Sequence, residues 1–69
     1  MNLYRFIVQT NERMIPVIVA ANHDEKAFEQ VEIELEKHFL KMPKIENITL
    51  HEKKKFQNRA GFVIDIQDL

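Results

Sequence analysis

The chain has 69 residues, a net charge of −1 and no cysteine. A chain of this length is expected to form a single domain, residues 1–69, whose core is small because about 60% of the unfolded surface is buried on folding. Disulfides and cysteine-rich zinc sites are excluded as stabilising devices, and the near-neutral charge argues against a dedicated nucleic-acid-binding protein, which is usually strongly basic.

The first two predicted elements form a hairpin. Residues 2–10 are predicted to be a strand because Tyr4, Phe6 and Val8 occupy alternate positions. Residues 14–21 are rich in β-branched side chains and are predicted to be a second strand. The connection between them is short enough for a hairpin. Pro16 lacks a backbone N–H group, so it is expected at a sheet edge or at a bulge.

A single long helix is predicted over residues 24–42, with the sequence DEKAFEQVEIELEKHFLKM. Asp24 is expected to cap its first turn, and Pro43 is expected to end it. Apolar residues three and four positions apart define the face that packs on the sheet; they are Ala27, Phe28, Val31, Leu35, Phe39 and Met42.

Two further strands are predicted after the helix. The first covers residues 45–54, with Ile48 and Leu50 facing inward, and the second begins at Gly61. The second is predicted to be a strand because its residues alternate between two faces. Phe62, Ile64 and Ile66 occupy one face, and Val63, Asp65 and Gln67 occupy the other. The predicted fold is therefore α+β, in the order ββαββ, with a four-stranded, mainly antiparallel sheet and one helix on one face. The other face is predicted to be mixed and a second candidate for burial between subunits, with Arg5, Ile7, Gln9, Ile18 and Val63.

The outer surface of the helix suggests a protein contact. A row of glutamates follows one flank, and residues 24–50 hold seven acidic and four basic residues. A solvated acidic face is the ordinary interpretation, and a docking face for a basic partner is the alternative. Ile33 and Leu40 are seven residues apart and fall opposite the core face, which suggests a subunit contact. The small core also favours a homodimer, and the predicted interface residues are Ile33, Leu40, Glu29 and Glu36.

The segment 51–59 is the alternative functional surface. Four cationic side chains surround one aromatic ring, a combination that serves phosphate contact and base stacking; the residues are Lys53, Lys54, Lys55, Phe56 and Arg59. Lysines that protect a sheet edge are the ordinary interpretation. Nucleic-acid binding is therefore possible but not favoured.

No catalytic, metal-binding or cofactor-binding residues are predicted. The chain has no serine or cysteine, and its single glycine excludes a glycine-rich phosphate loop. Glu34 and His38 lie four residues apart, but metal sites normally need three or more converging ligands. Without a signal peptide or a membrane-spanning segment, the expectation is a cytoplasmic, non-enzymatic protein with a homodimeric or other protein partner.

Four stretches carry a resemblance to a known family. The segments LYRFIVQT, VIVAA, DEKAFEQVEIELEKHFLKMPKI and GFVIDI make the chain similar to short uncharacterised proteins of spore-forming Gram-positive bacteria, a domain of unknown function. This resemblance implies a cytoplasmic protein without an assigned activity. A looser resemblance, through Val19, Ala21, Glu25 and Ala27, is to the archaeal ribosomal protein LX, which implies RNA binding.

Overall fold

The computed structural model describes residues 1–65 and confirms the α+β class. Its elements are β1 (Asn2–Thr10), β2 (Met14–Ala21), α1 (Asp24–His38) and β3 (Ile45–Lys55). The strands form one antiparallel sheet in the order β2-β1-β3, with the predicted hairpin β1–β2 at one side. Because β1 is central, its apolar residues are shielded from solvent by both neighbouring strands as well as by the helix.

The predicted fourth strand is wrong for the part of the chain that the structure describes, where the sheet has three strands. Residues 61–65 are not in a strand, and Ile66 and Gln67 lie outside the described residues. The Lys54 Nζ atom donates a hydrogen bond of 2.7 Å to the Gly61 carbonyl and lies 4.9 Å from the centre of the Phe62 ring. Side-chain contacts, rather than a main-chain ladder, therefore hold the beginning of this segment.

The core lies between the sheet and α1. Tyr4, Phe6 and Val8 are fully buried, as their alternation predicts, and Val19 of β2 is 4% exposed. The helix contributes three buried residues, Ala27, Val31 and Leu35. Because α1 packs mainly against β2, the half of the sheet nearer β3 is less well covered.

Two members of the predicted core face, Phe28 and Met42, are exposed by 39% and 38%. Phe28 keeps a contact with the core, because its ring meets the Phe6 ring edge-on with centroids 4.8 Å apart. Met42 is outside the helix. The predicted face is therefore right in its centre and too broad at its ends.

The helix is shorter than predicted because it ends at His38 and not at residue 42. A proline in a helix clashes with the carbonyl four residues earlier, and for Pro43 that residue is Phe39. Phe39 is accordingly extended, with φ −103° and ψ 132°, although its N–H group still donates to the Leu35 carbonyl. The clash of Pro43 therefore excludes a regular helix through residue 42, and the chain leaves the helix at Phe39.

The predicted cap is also displaced by one residue. His23 is the N-cap, without a side-chain capping bond, and Asp24 is the first helical residue. The Asp24 carboxylate instead accepts hydrogen bonds from Tyr4 and Lys53, which lie on two different strands. The Asp24 carboxylate therefore bonds to side chains of β1 and β3 instead of capping the first turn of its own helix.

Strand β3 is irregular. Its register against β1 shifts between Gln9 and Thr10 and again between Arg5 and Phe6, which leaves Glu46 and His51 as extra residues. Bulges of this kind twist an edge strand and make it a poor template for further pairing. The lysines at its end add charge to the same edge.

Candidate functional site

The predicted contact residue Ile33 lies on the side of α1 that overhangs the outer edge of β2. Its side chain is 43% exposed. It lines a shallow depression together with Met1, Ala20 and Gln30. Both the helix and the end of β2 therefore contribute apolar surface at this point.

Of the other three predicted interface residues, Glu29 lines the same depression as Ile33, whereas Leu40 does not share a helical face with it. Leu40 is fully exposed but lies beyond the end of α1, so the helical spacing that paired it with Ile33 does not apply. Glu29 lies one turn before Ile33 and forms an exposed ion pair of 3.3 Å with Lys26. Glu36 is exposed on α1, turned about 60° from Ile33 around the helix axis.

Strand β2 is the edge beneath Ile33, and none of its eight residues is charged. Among the described residues, β2 pairs with β1 alone. The predicted edge position of Pro16 is confirmed. A proline blunts such an edge because it removes an outward donor, yet the five residues after it carry no comparable protection.

A second depression continues along the same side of the molecule, towards the other end of β2. It is lined by Pro16 and Ile18 from the strand and by Glu34 and His38 from the helix. Both depressions lie between β2 and α1, and we call this margin the β2–α1 flank, defined by Pro16, Ile18, Ala20, Gln30, Ile33 and Glu34. This flank combines free main-chain groups with apolar side chains, which are the requirements for pairing with another strand.

Within the described chain, some side chains of the predicted basic segment are engaged in hydrogen bonds and others are not. Lys53 donates to Asp24 at 2.8 Å, and Lys54 donates to the Gly61 carbonyl. The Phe56 ring is partly buried, and its backbone N–H group donates to the Met1 carbonyl. Lys55 and Arg59 are exposed. The structure therefore does not bring these five residues together as a patch of free cations around an accessible ring.

A polar cluster ties the start of α1 to the sheet. The Tyr4 hydroxyl donates a hydrogen bond of 2.7 Å to Asp24 Oδ1, which also accepts from Lys53 Nζ. Asn2 Nδ2 donates to the Tyr4 hydroxyl at 3.3 Å. The cluster thus joins β1, α1 and β3 through one carboxylate oxygen.

The pKa shifts in this cluster favour the ion pair. Burial and the bond to Asp24 raise the pKa of Tyr4, and the bonds from Lys53 and Tyr4 lower the pKa of Asp24. The bond to Asp24 raises the pKa of Lys53. Each shift moves a group further from neutral pH, whereas acid–base catalysis needs pKa values near it. The cluster is suited to holding two elements together.

The face of the sheet opposite α1 carries a second ion pair. Arg5 Nη2 lies 3.4 Å from Glu52 Oε1, and the Arg5 side chain is 16% exposed. Within the described part of the chain, Arg5 Nε is buried without a hydrogen-bond partner. Ile7, on the same face of β1, is only 3% exposed. This face is therefore more buried near its centre than its mixed composition suggests.

Other kinds of site find no support in residues 1–65. No group of three or more histidine, aspartate or glutamate side chains is arranged to hold a metal ion in that range. In the same range, no helix has the length and apolar character required to cross a membrane. A third depression, beside the β1–β2 turn, is lined by Arg13, Phe39, Lys41 and Lys44 among others.

The free edge of β2 was not identified as a site from the sequence. The signal for it is the run MIPVIVAA, which lacks charge over a whole strand and contains one proline. Because edge strands usually carry charges, this absence indicates a strand with a partner. The position of β2 at the edge is the additional information that only the structure supplies.

These features define a small α+β protein whose described residues form one helix on a three-stranded antiparallel sheet with an uncharged edge strand. The chain belongs to the family described as protein of unknown function (DUF3906), which matches residues 1–64. Neither a curated protein nor a solved structure matches it.

Proposed function

We propose that this protein is a small non-enzymatic interaction or regulatory protein of the bacterial cytoplasm that acts as a homodimer. The observation that carries the proposal is the β2–α1 flank, where an uncharged edge strand lies beside the exposed Ile33. The resemblance to short proteins of spore-forming Gram-positive bacteria supports the cellular setting. The polar cluster is not suited to acid–base catalysis, because its pKa shifts lead away from neutral pH.

The size of the core supports association with a second copy. Eight buried apolar residues make up the core of the described chain, and small domains commonly gain stability from oligomerisation. Exposed apolar side chains that are scattered singly need no partner. Those on the flank are instead adjacent to a strand with unpaired main-chain groups, and this combination favours a partner.

RNA or DNA binding through the basic segment is the alternative function. It is supported by the exposure of Lys55 and Arg59. It is weakened by the bonds that occupy Lys53 and Lys54, and by the partial burial of Phe56. Because affinity for nucleic acid grows with the number of phosphate contacts, binding is expected to be weak while the exposed Lys53 and Lys54 remain engaged by Asp24 and Gly61.

The mass in solution tests the homodimer. Sedimentation equilibrium over a wide range of concentrations is expected to give twice the 8.3 kDa of the chain. The variant Leu40→Glu tests whether Leu40 contributes to the dimer independently of Ile33, because Leu40 lies away from the flank. We expect this variant to remain dimeric. A wild-type chain that stays monomeric at every concentration would overturn the proposal of a homodimer.

A further inference from the structure

We propose that the second copy binds along the β2–α1 flank, by antiparallel pairing of β2 with its own counterpart around a two-fold axis beside Val19. This inference rests on the proposed homodimer and adds its surface and geometry. It joins the two sheets into one continuous sheet with both helices on the same face.

The hydrogen-bond pattern of the hairpin shows which groups of β2 point outward. The Thr10 N–H group donates to the Arg13 carbonyl at 2.9 Å. In an antiparallel ladder, pairs that exchange hydrogen bonds alternate with pairs that do not. Counting along the register from this turn, Pro16, Ile18 and Ala20 belong to the pairs that do not bond to β1. Their main-chain groups therefore face the free edge.

Pro16 selects the register of the pairing. A register that places Pro16 opposite Ile18 or Ala20 of the second copy leaves a carbonyl facing a residue without a donor. When Ile18 is opposite Ala20, each exchanges both main-chain hydrogen bonds with the other copy. The proline then falls outside the paired stretch, and the two-fold axis passes beside Val19.

The same axis brings the two helices into contact at Ile33. Ile18 and Glu34 line one depression, while Ala20 and Ile33 line the next. Val19 lies between Ile18 and Ala20, at the boundary between the two depressions. Along the direction of the strand, Val19 is therefore at the same level as Ile33. A two-fold axis at this level places Ile33 of one copy beside Ile33 of the other and buries both.

The charges on the helix are complementary in this arrangement. Glu29 lies four residues before Ile33, and Lys37 lies four residues after it. Antiparallel helices centred on Ile33 therefore bring Glu29 of each copy near Lys37 of the other. Both side chains are exposed and, among residues 1–65, pair within their own helix, Glu29 with Lys26 at 3.3 Å and Lys37 with Glu34 at 3.5 Å. Such exposed pairs are weak and rearrange easily.

The other edge of the sheet is less suited to a second copy. β3 has extra residues at Glu46 and His51 and ends in three lysines. Bulges interrupt a regular ladder, and like charges facing each other disfavour pairing. Of the two free edges in the described sheet, β2 is therefore the one whose chemistry permits self-pairing.

Cysteine crosslinking tests this geometry directly because the chain has no cysteine of its own. Ile33→Cys is expected to form a disulfide-linked dimer under mild oxidation, since both copies place this position at the axis. Glu32→Cys is the matched control. It is exposed on the next helical position, about 100° away around α1, and is expected to remain uncrosslinked.

A second variant tests the strand pairing. Ala20→Pro removes an outward N–H group without breaking a bond between β2 and β1, so the fold is retained. We expect it to raise the dimer dissociation constant at least about tenfold, because each lost hydrogen bond at the paired edge weakens association. Pro16→Ala is the control, and it is expected to leave the constant unchanged or lower it.

The outcomes distinguish this inference from the proposed function. A dimer in which Ile33→Cys is not crosslinked and Ala20→Pro has no effect would overturn the β2–α1 interface and leave the homodimer standing. A monomer would overturn both. Crosslinking of Ile33→Cys together with weakening by Ala20→Pro would support the two-fold axis beside Val19.

Discussion

Tyr4 and Asp24 are twenty positions apart in the chain and are joined by a hydrogen bond of 2.7 Å from the hydroxyl to the carboxylate. Tyr4 is fully buried in β1, while Asp24 begins α1. The bond fixes the first turn of the helix above the central strand. Lys53 of β3 completes the arrangement from the other side of β1.

The stability of the protein is expected to depend on pH through this cluster. The pKa of Asp24 is lowered from 3.8 by Lys53 and Tyr4, so its contribution to stability is present above 3.8 and is lost as pH falls through the lower, folded value. The pKa of Tyr4 is raised from 10.0 and that of Lys53 from 10.5, so their contributions are lost as pH rises above these values. Urea unfolding across the pH range measures both limits.

Asp24→Asn is expected to remove the loss of stability at low pH and the contribution of Lys53, whereas the burial that chiefly raises the pKa of Tyr4 keeps part of the loss at high pH. The amide keeps an oxygen for the Tyr4 hydroxyl but carries no charge to attract Lys53. Glu25→Gln is the control, because it removes a charge from the same first turn without touching the cluster. If both variants gave the same pH profile as the wild type, the cluster would not account for it.

The turn of the hairpin is predicted to depend on Thr10. Its side chain is 2% exposed, accepts hydrogen bonds from the N–H groups of Glu12 and Arg13, and donates to the Arg13 carbonyl. Thr10→Val keeps the shape but loses these bonds, which is expected to cost about 1–3 kcal/mol of unfolding free energy. Thr49→Val, at an exposed position of β3, is the control and is expected to change little.

The distinction between core and surface can be tested with the same substitution at two leucines. Leu35 is 3% exposed beneath α1, so Leu35→Ala is expected to destabilise the protein by about 2–5 kcal/mol. Leu40 is fully exposed, and Leu40→Ala is expected to change stability by less than about 0.5 kcal/mol. Denaturant unfolding gives both values. Comparable losses would mean that Leu40 is covered in solution.

The alternative function is tested by titrating a labelled single-stranded RNA and following its fluorescence anisotropy. Because Lys53 and Lys54 are exposed but already engaged in hydrogen bonds, we expect no saturable binding at about 0.15 M salt, since nonspecific affinity falls steeply as salt increases. Any binding at low salt is expected to be reduced more by Lys55→Ala with Arg59→Ala than by Lys53→Ala. Saturation in the micromolar range at the higher salt would contradict this expectation and favour the alternative.

The local elements were largely predictable, because they depend on short-range patterns. The alternation of Tyr4, Phe6 and Val8 predicted their shared burial, and the short connection predicted the hairpin. That the helix stops short of residue 42 was predictable in principle, because a helix through residue 42 would bring Pro43 against the Phe39 carbonyl. The prediction of a helix up to residue 42 used only the restriction that a proline places on the residue before it. It left out the clash of the proline ring with the carbonyl four residues earlier.

The contacts between distant residues were not predictable. The alternation in residues 61–65 resembles a strand, but a strand also needs a neighbour with free main-chain groups, and no periodic pattern supplies that information. The position of Lys53 beside Asp24 depends on the extra residue in β3, which changes the face of every side chain after it. The exposed edge of β2 became apparent only with the strand order.

The extra residue His51 has a consequence for how β3 tolerates changes in length. Phe6 is matched with Leu50 and Arg5 with Glu52, so deletion of His51 would regularise the ladder and leave each later lysine on its present side. A deletion among Ile48, Thr49 and Leu50 would instead have to be absorbed by shifting core side chains. The shortened strand would, however, present a flatter border to neighbouring molecules, so loss of solubility is a greater risk for such a variant than failure to fold.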